Sequence, residues 1–386
     1  MVVMNIAMYG FTVVAARLLL PHDFGAVTAL LGIILVGSVA SLGLQASVAR
    51  RLAVAPDQHD QIVTAARQVT VVAALAVGAL VALSTFVLTP VLRLEHHGLV
   101  ALCGLTLVPL TAMGTQMGVA QGSRRWGAFV AVNLASGLGR LGTGGVALLI
   151  DRSPTAAMIG IAVGAWMPVA VGAGLLRTGS KQGVAALRRT LGREALLGSH
   201  ALLAYFVLSN IDSLIARNRF DAQDSGLYAS GLILAKAALF FPQFVSVVVF
   251  PDLARDGSSR ARLRAVALVG AFGALAVGCT VALPQIALVL VGGDQYAEVG
   301  DSLWLFALSG SVLAIVHLLL FDALARHAHG IVVMLWCAVV VLGGSAYLFD
   351  VGLVGLVTTV SVVAAVLAVS IWTAATWRER RLARTV

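Results

Sequence analysis

Ionisable side chains are scarce in the long apolar runs of this chain, and the few that occur there are the groups able to do chemistry. Lys236 lies in the middle of the run 226–249, about 15 Å below its outer end at 1.5 Å per residue. Arg140 is similarly deep in the run 127–150, while Asn210 and Asp212 fall in the run 196–216 and Arg217 directly follows it. The first run, 2–20, contributes Asn5 and, at its far end, Arg17. Ionisable groups at such depth are costly, about 2.5–3.5 kcal/mol each on insertion scales, so they are retained for a purpose. A buried ammonium near a carboxylate suits binding of a pyrophosphate, or exchange of a proton or sodium ion. The structural alternatives are a Lys236–Asp212 pair, or a Lys236 that snorkels along a groove.

Other motifs fail their context tests. Gly137-Leu138-Gly139-Arg140-Leu141-Gly142 is a literal GxGxxG, but it sits inside an apolar run with no preceding strand. Small residues for close helix packing, or room beside Arg140, fit that segment better. The stretch from Gly174 to Lys181 lacks the Gly-Lys step of a phosphate loop. Cys103, Cys279 and Cys337 stand far apart in apolar surroundings, so neither a metal site nor a disulfide framework is expected. His96-His97 and His327-Ala328-His329 read as interfacial loop histidines. No catalytic constellation can be argued from spacing, and no cofactor is expected.

The elements that must carry these residues follow from composition. Of 386 residues, 60% are hydrophobic and 11% charged, against about 45–50% and about 25% in soluble domains. A globule of this size has too little interior for so much apolar surface. Disorder, a disulfide scaffold and an ordinary cytosolic enzyme are thereby excluded, leaving an all-α polytopic membrane protein. Twelve stretches are long enough to cross a bilayer: 2–20, 26–48, 69–89, 98–119, 127–150, 156–176, 196–216, 226–249, 265–291, 299–320, 331–348 and 353–374. Pro284 should kink or end the ninth. The first run leads through Arg17 and Pro21 straight into another span, so it reads as a span and not a cleaved signal.

The net charge of +9 is read loop by loop. Most of the basic residues, among them Arg50, Arg51, Arg124, Arg125, Arg188, Arg189, Arg193 and the tail from Arg378 to Arg384, fall in one set of alternate loops. The other set holds few, such as Arg93 and Arg152, alongside acids. By the positive-inside rule the basic set, with both termini, is cytoplasmic. These charges also suit contact with anionic membrane lipids. The basic loops are short and lack interleaved aromatics, so no nucleic-acid partner is expected.

Two regions about 200 residues apart repeat a pattern: Ala16-Arg17 through Asp23-Phe24-Gly25, and Ala216-Arg217 through Asp224-Ser225-Gly226. Duplication of a six-span unit accounts for both, with copies related by an axis along the membrane normal. The expected organisation is therefore a lobe over 1–176, a cytoplasmic linker over 177–195 and a second lobe over 196–386 ending in a basic tail.

At these same residues the chain resembles the polysaccharide biosynthesis flippases of the multidrug/oligosaccharidyl-lipid/polysaccharide (MOP) exporter superfamily. Ala16-Arg17-Leu18-Leu19-Leu20-Pro21-His22-Asp23-Phe24-Gly25 is similar to the family's turn after its first helix, and Gln121-Gly122-Ser123-Arg124-Arg125-Trp126 to its "Q-G-x-x-R-F" loop. Asn210-Ile211-Asp212 with Ser225-Gly226-Leu227-Tyr228-Ala229, then Phe250-Pro251-Asp252-Leu253-Ala254, then Gly292-Gly293-Asp294-Gln295-Tyr296-Ala297, resemble three further signatures in family order. The amino terminus is shorter than in the family, and twelve spans replace the fourteen of many members. The resemblance implies two six-helix lobes around a central cavity flanked by helices one, two, seven and eight. It places Lys236, Asp212, Asn210 and Arg17 at that cavity, with Arg140, Arg217 and Asn5 completing the candidate set.

The function so implied is not enzymatic. It is the movement of a polyprenyl-diphosphate-linked oligosaccharide from the inner to the outer leaflet of a bacterial plasma membrane, by alternating access, for surface polysaccharide synthesis. Implied partners are that lipid-linked oligosaccharide, membrane lipids, a coupling ion (H+ or Na+) and polysaccharide-assembly proteins. Two alternatives stay within the superfamily: an ion-coupled multidrug antiporter and a peptidoglycan-precursor flippase. A membrane polysaccharide polymerase or ligase is the alternative from another class, set against by the short outer loops.

Overall fold

The structure, a computed structural model, describes residues 2–177, 184–240, 259–325, 330–349 and 351–382. Among these residues the elements are helical, with short 3-10 turns between them. Among the described residues nine helical stretches are long and apolar enough to cross a bilayer, and a shorter apolar helix covers Met4–Leu18. The chain is thus an all-α polytopic membrane protein. Each expected run falls on helix wherever its residues are described, interrupted by single turns. The resemblance at Phe250–Ala254, the histidines 327 and 329 and the glycine-rich step at Lys181 lie outside the described residues.

The chain divides into two compact units, Met1–Phe206 and Val207–Val386. The boundary between these units lies within the run 196–216. In the first unit the helices are α1 (Val2–Leu18), α2 (Pro21–Gly37), α3 (Val39–Val54), α4 (His59–Leu83), α5 (Thr85–Val91), α6 (Gly98–Gly122), α7 (Trp126–Ile150), α8 (Pro154–Gly164), α9 (Trp166–Val171) and α10 (Val184–Leu208). Helix α6 is central and packs on α3 and α4. Its approach to α3 requires small residues: a Cβ on Gly118 would stand 2.7 Å from the Gln45 carbonyl oxygen, and one on Gly122 2.7 Å from Leu52 Cβ. With no hydrophobic drive between helices in lipid, such close backbone contact supplies the attraction.

The second unit continues with α11 (Ile211–Arg219), α12 (Ala222–Phe240), α13 (Ser259–Ala282), α14 (Pro284–Val291), α15 (Leu303–Ala325), α16 (Gly330–Leu348) and α17 (Leu353–Leu382). The ninth run is indeed broken, between Ala282 and Pro284, because proline lacks the N–H that would continue the ladder. Here α15 is central, packing on α12, α13 and α17. In each unit one long helix is thus the hub: α6 packs on α3 and α4, and α15 on α12, α13 and α17. A Cβ on Gly310 would collide with the Ala235 carbonyl, so α15 and α12 touch backbone to backbone beside Lys236.

Candidate functional site

The seventh span is not one helix. Helix α10 ends at Leu208, and α11 begins at Ile211 after Asn210 leaves helical geometry, with φ −136° and ψ −10°. Ser and Asn compete for backbone groups with their own side chains, which is why the ladder opens here. The Ser213 hydroxyl donates to the Asn210 carbonyl at 2.7 Å, and the Ser213 N–H donates to Asp212 Oδ1 at 2.8 Å. In a continuous helix that N–H would meet the Ser209 carbonyl. Asp212, in the first turn of α11, also has the favourable end of the helix dipole.

Lys236 of α12 fills the gap. Its ammonium donates to the Ser209 carbonyl at 2.6 Å and to Asn210 Oδ1 at 2.7 Å, while the Asn210 amide donates to Ser209 Oγ at 3.2 Å. Asp212 is reached from the other side by the Tyr228 hydroxyl, which donates to Oδ2 at 3.1 Å. The Asp212 and Lys236 charges act on one another electrostatically. Tyr228 is locked by edge-on contacts with Phe306 and Phe220, ring centroids 5.1 and 6.1 Å away. Ser209, Asn210, Asp212 and Tyr228 are at most 5% exposed, whereas Lys236 keeps part of its surface accessible.

Asn210, Asp212 and Lys236 are therefore one cluster. Arg217, also on α11 and 9% exposed, turns to Ser225 Oγ, to which Nη1 donates at 3.2 Å. The other candidates belong to the first unit. Arg140 stacks over the Phe11 ring with its Cζ 5.3 Å from the centroid, and its buried Nε meets no acceptor among the described residues. Asn5 is half-buried and Arg17 exposed at the end of α1. The glycines around Arg140 pack helices: a Cβ on Gly137 would stand 2.9 Å from Met4 Cα, and one on Gly139 2.6 Å from the Gly164 carbonyl oxygen. No group of metal-ligating side chains occurs among the described residues.

Three features were not read from sequence. Tyr228 was seen only as part of a motif, and the Ser209 carbonyl has no side-chain signal at all. Arg262, just before the run 265–291, carries no sign of burial in the sequence. It is 1% exposed, its Nε donates to Asp322 Oδ2 at 2.8 Å, and its Cζ lies 5.6 Å from the Trp372 ring centroid. An Arg and an Asp flanking two apolar runs, 265–291 and 299–320, were the available hint.

No family model matches the chain, and neither does any curated protein. Solved structures do. An inward-facing multidrug resistance MATE family transporter of the MOP superfamily superposes with a TM-score of 0.79 at 12% identity, over 99% of this chain and 96% of that one. The lipid II flippase MurJ, in its inward closed conformation, gives 0.74 at 11% identity over 97% and 88%. An outward-facing MATE transporter gives 0.58 at 14% identity over 100% and 96%. The class that these likenesses define is thus a fold, the one these solved membrane transporters share.

Proposed function

We propose that the chain is a flippase carrying a polyprenyl-diphosphate-linked oligosaccharide from the inner to the outer leaflet of a bacterial plasma membrane by alternating access. The observation that carries this reading is the chemistry placed at membrane depth. It is cationic and amide-rich: Lys236 with Asn210 in one unit, and Arg140, whose Nε meets no described acceptor, in the other. Such groups suit a diphosphate and sugar hydroxyls, each unpaired hydroxyl costing about 2–7 kcal/mol to desolvate and the charged diphosphate more. Each such group, with the lipid tail left in the bilayer, lowers that barrier. Arg17, Arg217 and Asn5 are further substrate-contacting residues in this reading.

Drug-cation export by antiport calls for free carboxylates deep in the bundle. Asp212 instead has both oxygens occupied, by Tyr228 and by the Ser213 N–H. Deletion of the gene should leave lipid-linked repeat units on the inner leaflet, and Lys236→Ala should reproduce the deletion at normal protein level. Full surface glycan in the Lys236→Ala strain would remove that residue from transport. Unchanged glycan in the deletion strain would end the reading itself.

A further inference from the structure

The oxygens around Lys236 form an arrangement with a meaning of its own. A helix interrupted inside a membrane exposes carbonyls that a cation must satisfy, and in transporters unwound carbonyls commonly coordinate Na+ or receive a proton. The break at Ser209-Asn210 offers a backbone carbonyl and an amide oxygen, with the Asp212 carboxylate supplying negative charge nearby. Both oxygens converge on a single point, and that point is Lys236 Nζ, at 2.6 and 2.7 Å. Neither oxygen belongs to an acid, so the contacts are those of an ion with neutral ligands and not of a surface salt bridge. The position is fixed by α12, whose backbone lies flush against α15 at Ala235 and Gly310.

The geometry points to a monovalent-cation site at the break in the seventh span whose occupant is built in, the Lys236 ammonium standing where an alkali cation would bind. This deepens the flippase reading by assigning the break a fixed charge in place of a coupling sodium ion. An ammonium has three donors, of which two are used by Ser209 and Asn210. The third meets no acceptor among the described residues and can reach a phosphate oxygen of the substrate without dismantling the site. Removing the ammonium and its stem leaves two neutral oxygens facing the vacated place, with the Asp212 charge acting on it, which suits a sodium or potassium ion.

The test uses the purified full chain in detergent, with binding of radioactive sodium and the unfolding midpoint followed in NaCl, KCl and choline chloride at equal ionic strength. The wild type should show no saturable sodium binding at this site and no alkali-specific rise in Tm. Lys236→Ala should gain saturable sodium or potassium binding and a rise of roughly 2–4 °C at ten times its Kd. Adding Asp212→Asn should abolish that gain, and Lys236→Met, which refills the space without charge, should not show it. A folded Lys236→Ala protein that binds neither ion overturns the proposal, as does wild-type sodium binding that Asp212→Asn removes. If Lys236→Ala is monodisperse only when prepared in sodium or potassium, the proposal is supported. If it fails in every salt, Lys236→Ser takes its place under the same criteria and the wild-type measurement decides. Failure of the flippase reading would appear separately, as wild-type vesicles that move no lipid-linked oligosaccharide whatever the cation result.

Discussion

Asp212 is held from two sides, by the Tyr228 hydroxyl and by the Ser213 amide, and it lies 3% exposed. Tyr228→Phe removes one donor from a buried carboxylate, so a loss of about 1–3 kcal/mol in stability is expected from calorimetry or denaturant melts. The Arg262–Asp322 pair is a sharper case, because both partners are buried and one face of the guanidinium lies on Trp372. Arg262→Ala strands a buried carboxylate and should cost about 3–5 kcal/mol, whereas the double variant Arg262→Met, Asp322→Leu should recover much of it. In the first turn of α12, Asp224 is raised above the ordinary carboxylate range, first by burial and then by the Asp221 and Glu298 charges. A raised folded value means the charged form weakens the fold, so the stability it contributes is present at acid pH and lost as pH rises through that raised value. Asp224→Asn should therefore raise Tm slightly at pH 7, and the gain should vanish as pH falls below about 4.

The helix break shows how much a sequence tells about an element. Lys236, Asp212 and Asn210 were legible because polar groups in apolar runs stand out against their surroundings, and the structure gathers those three into one cluster. Their mutual arrangement was not legible. The run 196–216 reads as one span, since two polar residues among so many apolar ones do not interrupt a hydropathy pattern. The interruption arises when Ser213 and Asp212 satisfy each other's neighbours and release the Ser209 carbonyl to an ammonium from another helix. Pro284 was the opposite case, a breaker whose effect is intrinsic to the residue. The GxGxxG segment was readable as packing for the same reason, because only small residues fit where α7 meets α1 and α8. Gly310→Leu tests the positioning role of such contacts. It should force α15 away from α12 at Ala235, lower Tm, and reduce the proposed transport more than Gly300→Leu, a substitution with open space around it.

Across the whole molecule, two constraints act on one chain: each compact unit must bury its own hub helix, and the charges between spans bear on the orientation of every crossing. The first is visible in α6, packed on α3 and α4, and in α15, packed on α12, α13 and α17. The second rests on basic residues alternating with the spans, and one ion pair shows that they also serve structure. Arg51 grips Glu194 through two bonds, Nε to Oε2 at 3.0 Å and Nη2 to Oε1 at 2.8 Å, tying the end of α3 to α10 within the first unit. Such a pair is half-exposed and contributes modestly, so topology and not stability is the larger role of this charge set. We expect Arg125 and Arg193 on the cytoplasmic side and Arg93 and Arg152 outside. In a background where Cys103, Cys279 and Cys337 are replaced by alanine, single cysteines at these four positions can be labelled in intact cells with an impermeant maleimide. Labelling at 93 and 152 alone, with 125 and 193 reacting only after the membrane is opened, fits an even span count with both termini inside. Labelling of position 193 from outside would invert the orientation, and with it the direction in which the proposed substrate is carried.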